Sequence, residues 1–485
     1  MASSTQEPAA APQAPSGARV FGTLSLGVFT FSFIANVNGV PALAEYGLAS
    51  VAFYAIAVVG LLAPTALVSA ELGAAWPRTG GVYVWAREAF GPRTGFLVIW
   101  LEWANYVIAF PALMTTLAIE ASYGFDKGLG NDRGFVVVVI LLATTATTAL
   151  ALRGVRLQRN LTAFAVVTGT LLPALALMVL AAVYLGEGRD SQIAFTATGL
   201  VPDVGNVGTL VFASTAFLMF AGIEISAVHG GDVRDPGRTV PRANAIAATL
   251  CLLLFIPVTL AIAIVVPKKE LNVVSGLMEA FDHFLGSFEL GWLVPVFGLL
   301  LVLGLAASLV QILGGPARGL MIAARDGHLP PAMQRSNARG MPTTILIAQA
   351  VVNAALALLF VLMPSIQDAW WALLVAQTQL TLILYVILFA TAIKLRRTHG
   401  EVARPFRVPG GLLGLYAVCG VGAVCCSLVV GLGFIPPEEL NISLPGYVAA
   451  MVGAVGGVIA LPFVISAFRR PSWVATPSPA EREGA

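Results

Sequence analysis

The residues best placed to do chemistry in this chain are an acid and a glycine inside a membrane-length apolar run. The stretch Val207–Ala243 reads VGTLVFASTAFLMFAGIEISAVHGGDVRDPGRTVPRA. Glu224 follows roughly 15 almost unbroken apolar or small side chains, about three-quarters of the ~20-residue helix that spans a bilayer. An ionised carboxylate at that depth is costly, and irregular backbone is tolerated there only where it lines a cavity or packs inside protein. Gly222 is the neighbour most able to leave helical geometry. A broken helix beside a buried acid is a way to build a midplane binding site. The structural alternative is an acid that only pairs with a neighbouring helix.

A second run has a similar design. It reads FGTLSLGVFTFSFIANVNGVPALAEYG and carries Asn36, Asn38, Gly39 and Pro41 at its middle. An unbroken lipid-facing helix would not choose these residues. Backbone amides freed at a helix break favour a carboxylate, and freed carbonyls favour an ammonium. Two such breaks facing each other suit a zwitterion such as an amino acid, although a sugar or nucleobase could use the same frame. Elsewhere, Glu102, Asn105 and Tyr106 share one helical face in WLEWANYVIAF, at spacing i, i+3, i+4. They read either as a wall of a substrate or proton path, or as an interhelical hydrogen-bond cluster or an acid near the inner end snorkelling to the interface. Ser308 and Gln311, and Gln377, Thr378 and Gln379, are further polar residues in apolar runs.

Composition sets the frame for these residues. Of 485 residues, 58% are apolar and 11% charged, with a net charge of +2. The mean hydropathy is +0.87. Soluble globular chains average roughly 25% charged residues, so the chain reads as an all-α polytopic membrane protein. Cys251, Cys419, Cys425 and Cys426 lie in apolar runs without metal or redox spacing, and read as small hydrophobic residues. No metal or cofactor is expected, and no nucleic-acid partner.

Twelve apolar runs can be drawn, roughly 21–44, 48–72, 94–121, 134–152, 157–185, 206–229, 242–266, 290–314, 342–363, 369–393, 411–434 and 445–468; they are called spans 1 to 12 below. With the N-terminus inside, all of the 27 basic residues except Lys127, Arg133, Arg189, Lys268 and Lys269 fall on the inner side. The positive-inside rule then places both termini in the cytoplasm. Residues 1–19 are expected to be a disordered tail, 20–470 the membrane domain, and 471–485 a short cytoplasmic tail, with the disorder setting in near Arg469. Two loops are more than connections. GVYVWAREAF, between spans 2 and 3, has amphipathic spacing and can lie along the membrane face or re-enter it. In residues 271–286 the spacing of Leu277, Ala280, Phe281, Phe284 and Leu285 predicts a surface helix over the opposite side.

The broken spans 1 and 6, five spans apart, point to an inverted repeat of five plus five helices with the site at their interface. Spans 11 and 12 are then additions. The chain resembles the amino acid–polyamine–organocation (APC) transporter superfamily, and within it the glutamate/GABA antiporter family, over residues 20–470. The resemblance is carried by GVPALAEYGLAS, LVSAELGAAWPRTGGVYVWAREAFGPRTGF, FAGIEISAVHGGDVRDPGRTVPRA and GPARGLMIAARDGHLPP, in this order. It implies a secondary transporter of amino acids in the cell membrane, a monomer or homodimer, working by alternating access. It implies that Ala35, Asn36, Val37, Asn38 and Gly39, with Phe220, Ala221, Gly222 and Ile223, face the substrate. It makes Glu224 a gating or proton-linked residue, a role Glu102 can share, while Asn105, Tyr106, Ser308, Gln311 and Gln377 are candidates to line the path. The break IANVNG departs from the GSG-type break of relatives that take cationic amino acids, which weighs against such cargo. About 17 residues follow the last span, so a long C-terminal plug is not expected. The lone Ser308 on span 8 weighs against sodium, and span 5 has no deep lysine; proton linkage through Glu224 or obligate exchange remains.

Other classes fit less well. A channel needs a continuous polar lining. An enzyme needs a clustered catalytic set, and His229, His283, His328 and His399 lie in or beside separate loops. A nutrient sensor on the same scaffold would usually add a soluble domain, and no nucleotide-binding glycine loop suggests a pump. A proton-coupled symporter of another small amine remains an alternative.

Overall fold

A computed structural model describes residues 22–475 apart from 78–79, 203–204, 206–209, 212–213, 229–232, 234 and 437–442. The expected N-terminal tail, His229 and the first part of span 6 lie wholly or partly outside the described residues. Among those described, ten helices are long and apolar enough to cross a membrane, and the bent pair Thr23–Ile34 with Val37–Ala44 can count as an eleventh. Span 6, described only in part, is not among them.

Span 1 breaks where its sequence stops favouring a helix. Asn36 is extended, and its side-chain oxygen accepts from the Asn38 N–H at 2.9 Å. That bond caps the start of the next turn, as short polar side chains do at helix starts. Pro41 sits in the first turn of the following helix, where its missing N–H costs nothing. The two halves meet at 41°. Span 6 stops at Met219 and resumes at Ile225. Gly222 between them has φ +104°, a conformation that a side chain would strain.

The remaining spans form the frame. They are Gly47–Ala75, Pro92–Ser122, Arg133–Ala151, the fifth ending at Gly186, Pro236–Val265, Gly291–His328, Thr343–Leu362, Ile366–Thr398, Gly411–Leu432 and Leu444–Ala467. Span 7 begins at Pro236 and not near 242, span 8 runs to His328 and not 314, and span 10 runs to Thr398 and not 393, because the apolar pattern ends before the helical hydrogen bonding does. Span 5 carries a wider π-helical stretch at Val166–Leu171, a local feature that recurs at functional sites.

Both expected surface helices form. Gly81–Phe90 buries Val82, Tyr83, Trp85, Ala86 and Ala89 and packs on spans 3 and 10. Arg87 donates to Asp326 at 2.6 Å and the Tyr83 hydroxyl donates to the same oxygen. These contacts mark the arginine-rich face. On the opposite face, Gly276–Ser287 buries Leu277, Ala280, Phe281, Phe284 and Leu285 and rests on Pro41 of span 1. Glu279 there accepts from the Ser275 hydroxyl at 2.6 Å and the Asn272 N–H at 3.1 Å. Burial pushes its carboxyl above the ordinary range in spite of these bonds. The sign follows from linkage: a raised acid contributes stability below its unfolded value of ~4.3, and that contribution is lost as pH rises through the folded value. Hydrogen-exchange protection of this helix is therefore expected to fall as pH rises from the acid side, and Glu279→Gln should remove that dependence.

The C-terminal segment differs from expectation. Disorder was expected from Arg469, yet Pro471–Trp473 forms a short turn docked on the end of span 8. Ala475 N–H donates to the Arg325 carbonyl at 3.0 Å, and Arg469 to the Asp326 carbonyl at 2.9 Å. Gln334 joins the two pieces, donating to the Ala324 and Trp473 carbonyls at 2.9 and 2.6 Å. The proline-rich sequence hid this because the partners are backbone carbonyls on another element. Gln334→Leu removes both bonds and is expected to speed limited proteolysis after Phe468 severalfold, as net hydrogen bonds of ~1 kcal/mol each allow.

Candidate functional site

The two breaks face each other. A side-chain carbon added to Gly39 would lie 3.4 Å from Met219, the last helical residue before the span 6 break, and one added to Gly222 would lie 3.7 Å from Ile34. Each break frees backbone groups, and at each break one of them has a hydroxyl partner from another span. Thr170, in the π-helical stretch of span 5, donates to the Ala35 carbonyl at 3.1 Å. Tyr385 of span 10 accepts from the Gly222 N–H at 2.8 Å and donates to Glu224 Oε2 at 2.9 Å. A single phenol thus links the freed amide to the acid two residues further on.

A cavity of about 60 Å³ opens between spans 1, 5 and 8, room for a few water molecules. Its polar lining includes Ser32, Asn36, Asn38, Thr170, Ser308 and Gln311, with Ala35 and Phe33 beside them. Its wall is thin because Gly169 and Gly304 touch: a carbon added to Gly304 would lie 2.1 Å from the Gly169 Cα. Only paired glycines allow spans 5 and 8 to approach this closely.

Most of the residues singled out from sequence fall into three groups. Ala35, Asn36, Asn38, Ser308 and Gln311 line this cavity. Glu224, Glu102 and Tyr106 form a second cluster with Tyr385, each lying within electrostatic range of others in the group. Asn105 is buried nearby on span 3, its Oδ1 without a hydrogen-bond partner among the described residues. The side chains of Val37, Phe220 and Ile223 turn into the core. Phe220 packs its ring 6.0 Å from Tyr54 and 5.9 Å from Phe255, so only its backbone can face a ligand. Gln377 does not line the cavity, and Gln379 bonds the Val430 carbonyl of span 11, the packing role expected of a membrane amide.

Sequence reasoning did not single out Tyr385 or Thr170. Tyr385 did carry a signal. A tyrosine deep in an apolar run needs a partner for its hydroxyl, and it lies two turns from Gln377 on the same helical face. Thr170 had none, since a threonine bonded within its own helix looks the same in sequence.

Multi-pass helical architecture with facing breaks in spans 1 and 6 is that of a membrane carrier. The amino acid permease family matches residues 19–458. The chain is 36% identical to an uncharacterized transporter of Legionella pneumophila over 424 residues, covering 87% of this chain and 91% of that one. It is 25% identical to a glutamate/gamma-aminobutyrate antiporter of Lactococcus lactis (87% and 84% covered) and 24% identical to a probable agmatine/putrescine antiporter of the same species (83% and 85% covered). The protein belongs to the amino acid permease family of the APC superfamily, whose members here are secondary transporters of amino acids or amines.

Proposed function

We propose that this carrier moves a small amino acid or amine across the cytoplasmic membrane by alternating access, with cargo held between the two breaks. The observation that carries this reading is the pair of hydroxyl caps. A cargo carboxylate that takes the Gly222 N–H must displace the Tyr385 hydroxyl, and the displaced phenol is the group that holds Glu224. A cargo ammonium that takes the Ala35 carbonyl must displace Thr170 in the same way. Binding therefore loosens span 6 from span 10 and changes the surroundings of the acid. A ligand with differential contacts in two states is what shifts a carrier between them.

In this reading Glu224 takes up or releases a proton when Tyr385 leaves it, and Glu102 and Tyr106 form the wall through which that proton passes. The distribution of arginines supports cytoplasmic termini. The cavity lining of amides and hydroxyls, without a formal charge, favours cargo that brings its own paired charges. The relatives named above extend the range from glutamate and gamma-aminobutyrate to agmatine and putrescine.

The test is counterflow. Purified protein in liposomes is preloaded with unlabelled glutamate, gamma-aminobutyrate, leucine, arginine or putrescine and presented with the labelled compound. Accumulation of label is expected for at least one amino acid or amine. The reading is overturned if no compound of the panel drives accumulation under any pH gradient.

A further inference from the structure

A buried ion cluster sits at the basic end of spans 2 and 10, away from both site clusters. Glu71 of span 2, with its side chain 3% exposed, lies in the sequence LVSAELGAAW. Arg396 of span 10 grips it with two bonds: Nε donates to Oε1 at 2.6 Å and an Nη donates to Oε2. The Val408 N–H donates to Oε2 at 2.8 Å. Arg404 lies 3.4 Å from Oε1. Its two terminal nitrogens are bound by the carbonyls of His399, Val402 and Leu395, each at 2.9 Å. A bidentate fork of this kind fixes orientation as well as distance.

The position of Arg396 gives the cluster its meaning. It lies 11 residues after Tyr385, about three turns along the helix and on nearly the same face. Span 10 is thus held at two heights on one side: by Tyr385 to the span 6 break, and by Arg396 to span 2. Span 2 closes the circuit. A carbon added to its Gly73 would lie 2.5 Å from Ala227 Cβ, so the second half of span 6 packs directly against it, two residues from Glu71. Asn244 of span 7 strengthens that contact, accepting from Ser226 of span 6 and donating to the Ala66 carbonyl at 3.0 Å and Ser69 Oγ at 3.3 Å.

We infer that Glu71 and Arg396 are positioning residues that fix the height of Tyr385 against the span 6 break. This rests on the reading of Tyr385 as the cap that cargo displaces. The circuit of span 10 to span 6, span 6 to span 2, and span 2 to span 10 has three joints, and Glu71–Arg396 is the one that joins two opposite charges by a bidentate fork. Without it, the basic end of span 10 loses its tie to span 2, and the phenol is no longer held level with the Gly222 N–H and Glu224. The group acts through Tyr385 and touches no cargo.

The experiment uses hydrogen exchange on the full-length protein in nanodiscs without cargo, so its outcome does not depend on transport. Peptides covering residues 214–228 are followed in Glu71→Gln, Arg396→Lys and Tyr385→Phe, and in each of the first two combined with Tyr385→Phe. Arg396→Lys keeps the charge and loses the fork, and stands in should Glu71→Gln not fold. Protection of 214–228 is expected to fall about tenfold in each single variant, the effect of one lost hydrogen bond, with no further fall in the combinations. The inference is overturned if protection changes only near residues 66–76 and 395–408, or if the combined variants lose protection additively. Normal exchange behaviour of this kind alongside failed counterflow would sink the cargo reading and leave the positioning role standing.

Discussion

Tyr385→Phe is expected to slow counterflow by about 10- to 100-fold while the carrier stays folded. The phenol makes two bonds, one from the Gly222 N–H and one to Glu224. A hydrogen bond to a charged group contributes ~1.5–3 kcal/mol, and ~1.4 kcal/mol corresponds to a factor of ten. The ring itself is buried at 1% exposure, and phenylalanine keeps its packing. The loss therefore falls on the coupling between span 10 and span 6 and spares the core. Glu224→Gln gives the complementary result. Glutamine still accepts from Tyr385, so the height of the break is kept, but it cannot ionise. Exchange is expected to persist at a reduced rate and to lose the parent's dependence on pH. The measurement is initial rate against pH in proteoliposomes for the three proteins. A Glu224→Gln carrier with the parent pH profile would remove the acid from the mechanism.

Gly304→Ala is expected to be strongly damaging for a single-carbon change. The added carbon would lie 2.1 Å from Gly169 Cα and 2.4 Å from its nitrogen, where ~3.5–4.0 Å is the contact optimum. Neither neighbour is a flexible side chain, so spans 5 and 8 must move apart. Overpacking of this kind costs ~1–3 kcal/mol, occasionally more. The displaced helices carry Thr170 and Ser308, so the cap on Ala35 and the cavity wall move with them. Lower thermal stability and a counterflow loss greater than tenfold are expected together. Gly315→Ala on the same helix is the control, since a carbon there meets nothing within 4 Å and should change stability by less than ~0.5 kcal/mol. Equal behaviour of the two variants would mean that the glycine contact does not set the wall.

Much of this architecture was legible in the chain. The apolar runs, the two surface helices and the break at Asn36 to Pro41 are local features, written within a few residues of where they act. Gly222 was legible for the same reason. The docked segment from Arg469 was not, because it bonds the carbonyls of Arg325 and Asp326 and any sequence can supply a carbonyl. Gln377 was placed in the path on polarity alone, whereas the cavity lies between spans 1, 5 and 8.

The sequence by itself determined that helices 1 and 6 break, that an acid follows the second break, and that the chain belongs in a bilayer. These follow from the cost of polar groups in hydrocarbon and the backbone preferences of glycine, asparagine and proline. Only the tertiary structure decided what answers the broken backbone. Tyr385 is 161 residues from Glu224, and Thr170 is 135 residues from Ala35. Nothing local ties a hydroxyl to an amide that far away; the packing of spans 5 and 10 against the breaks does, and the glycine contact and the buried ion cluster hold those spans there.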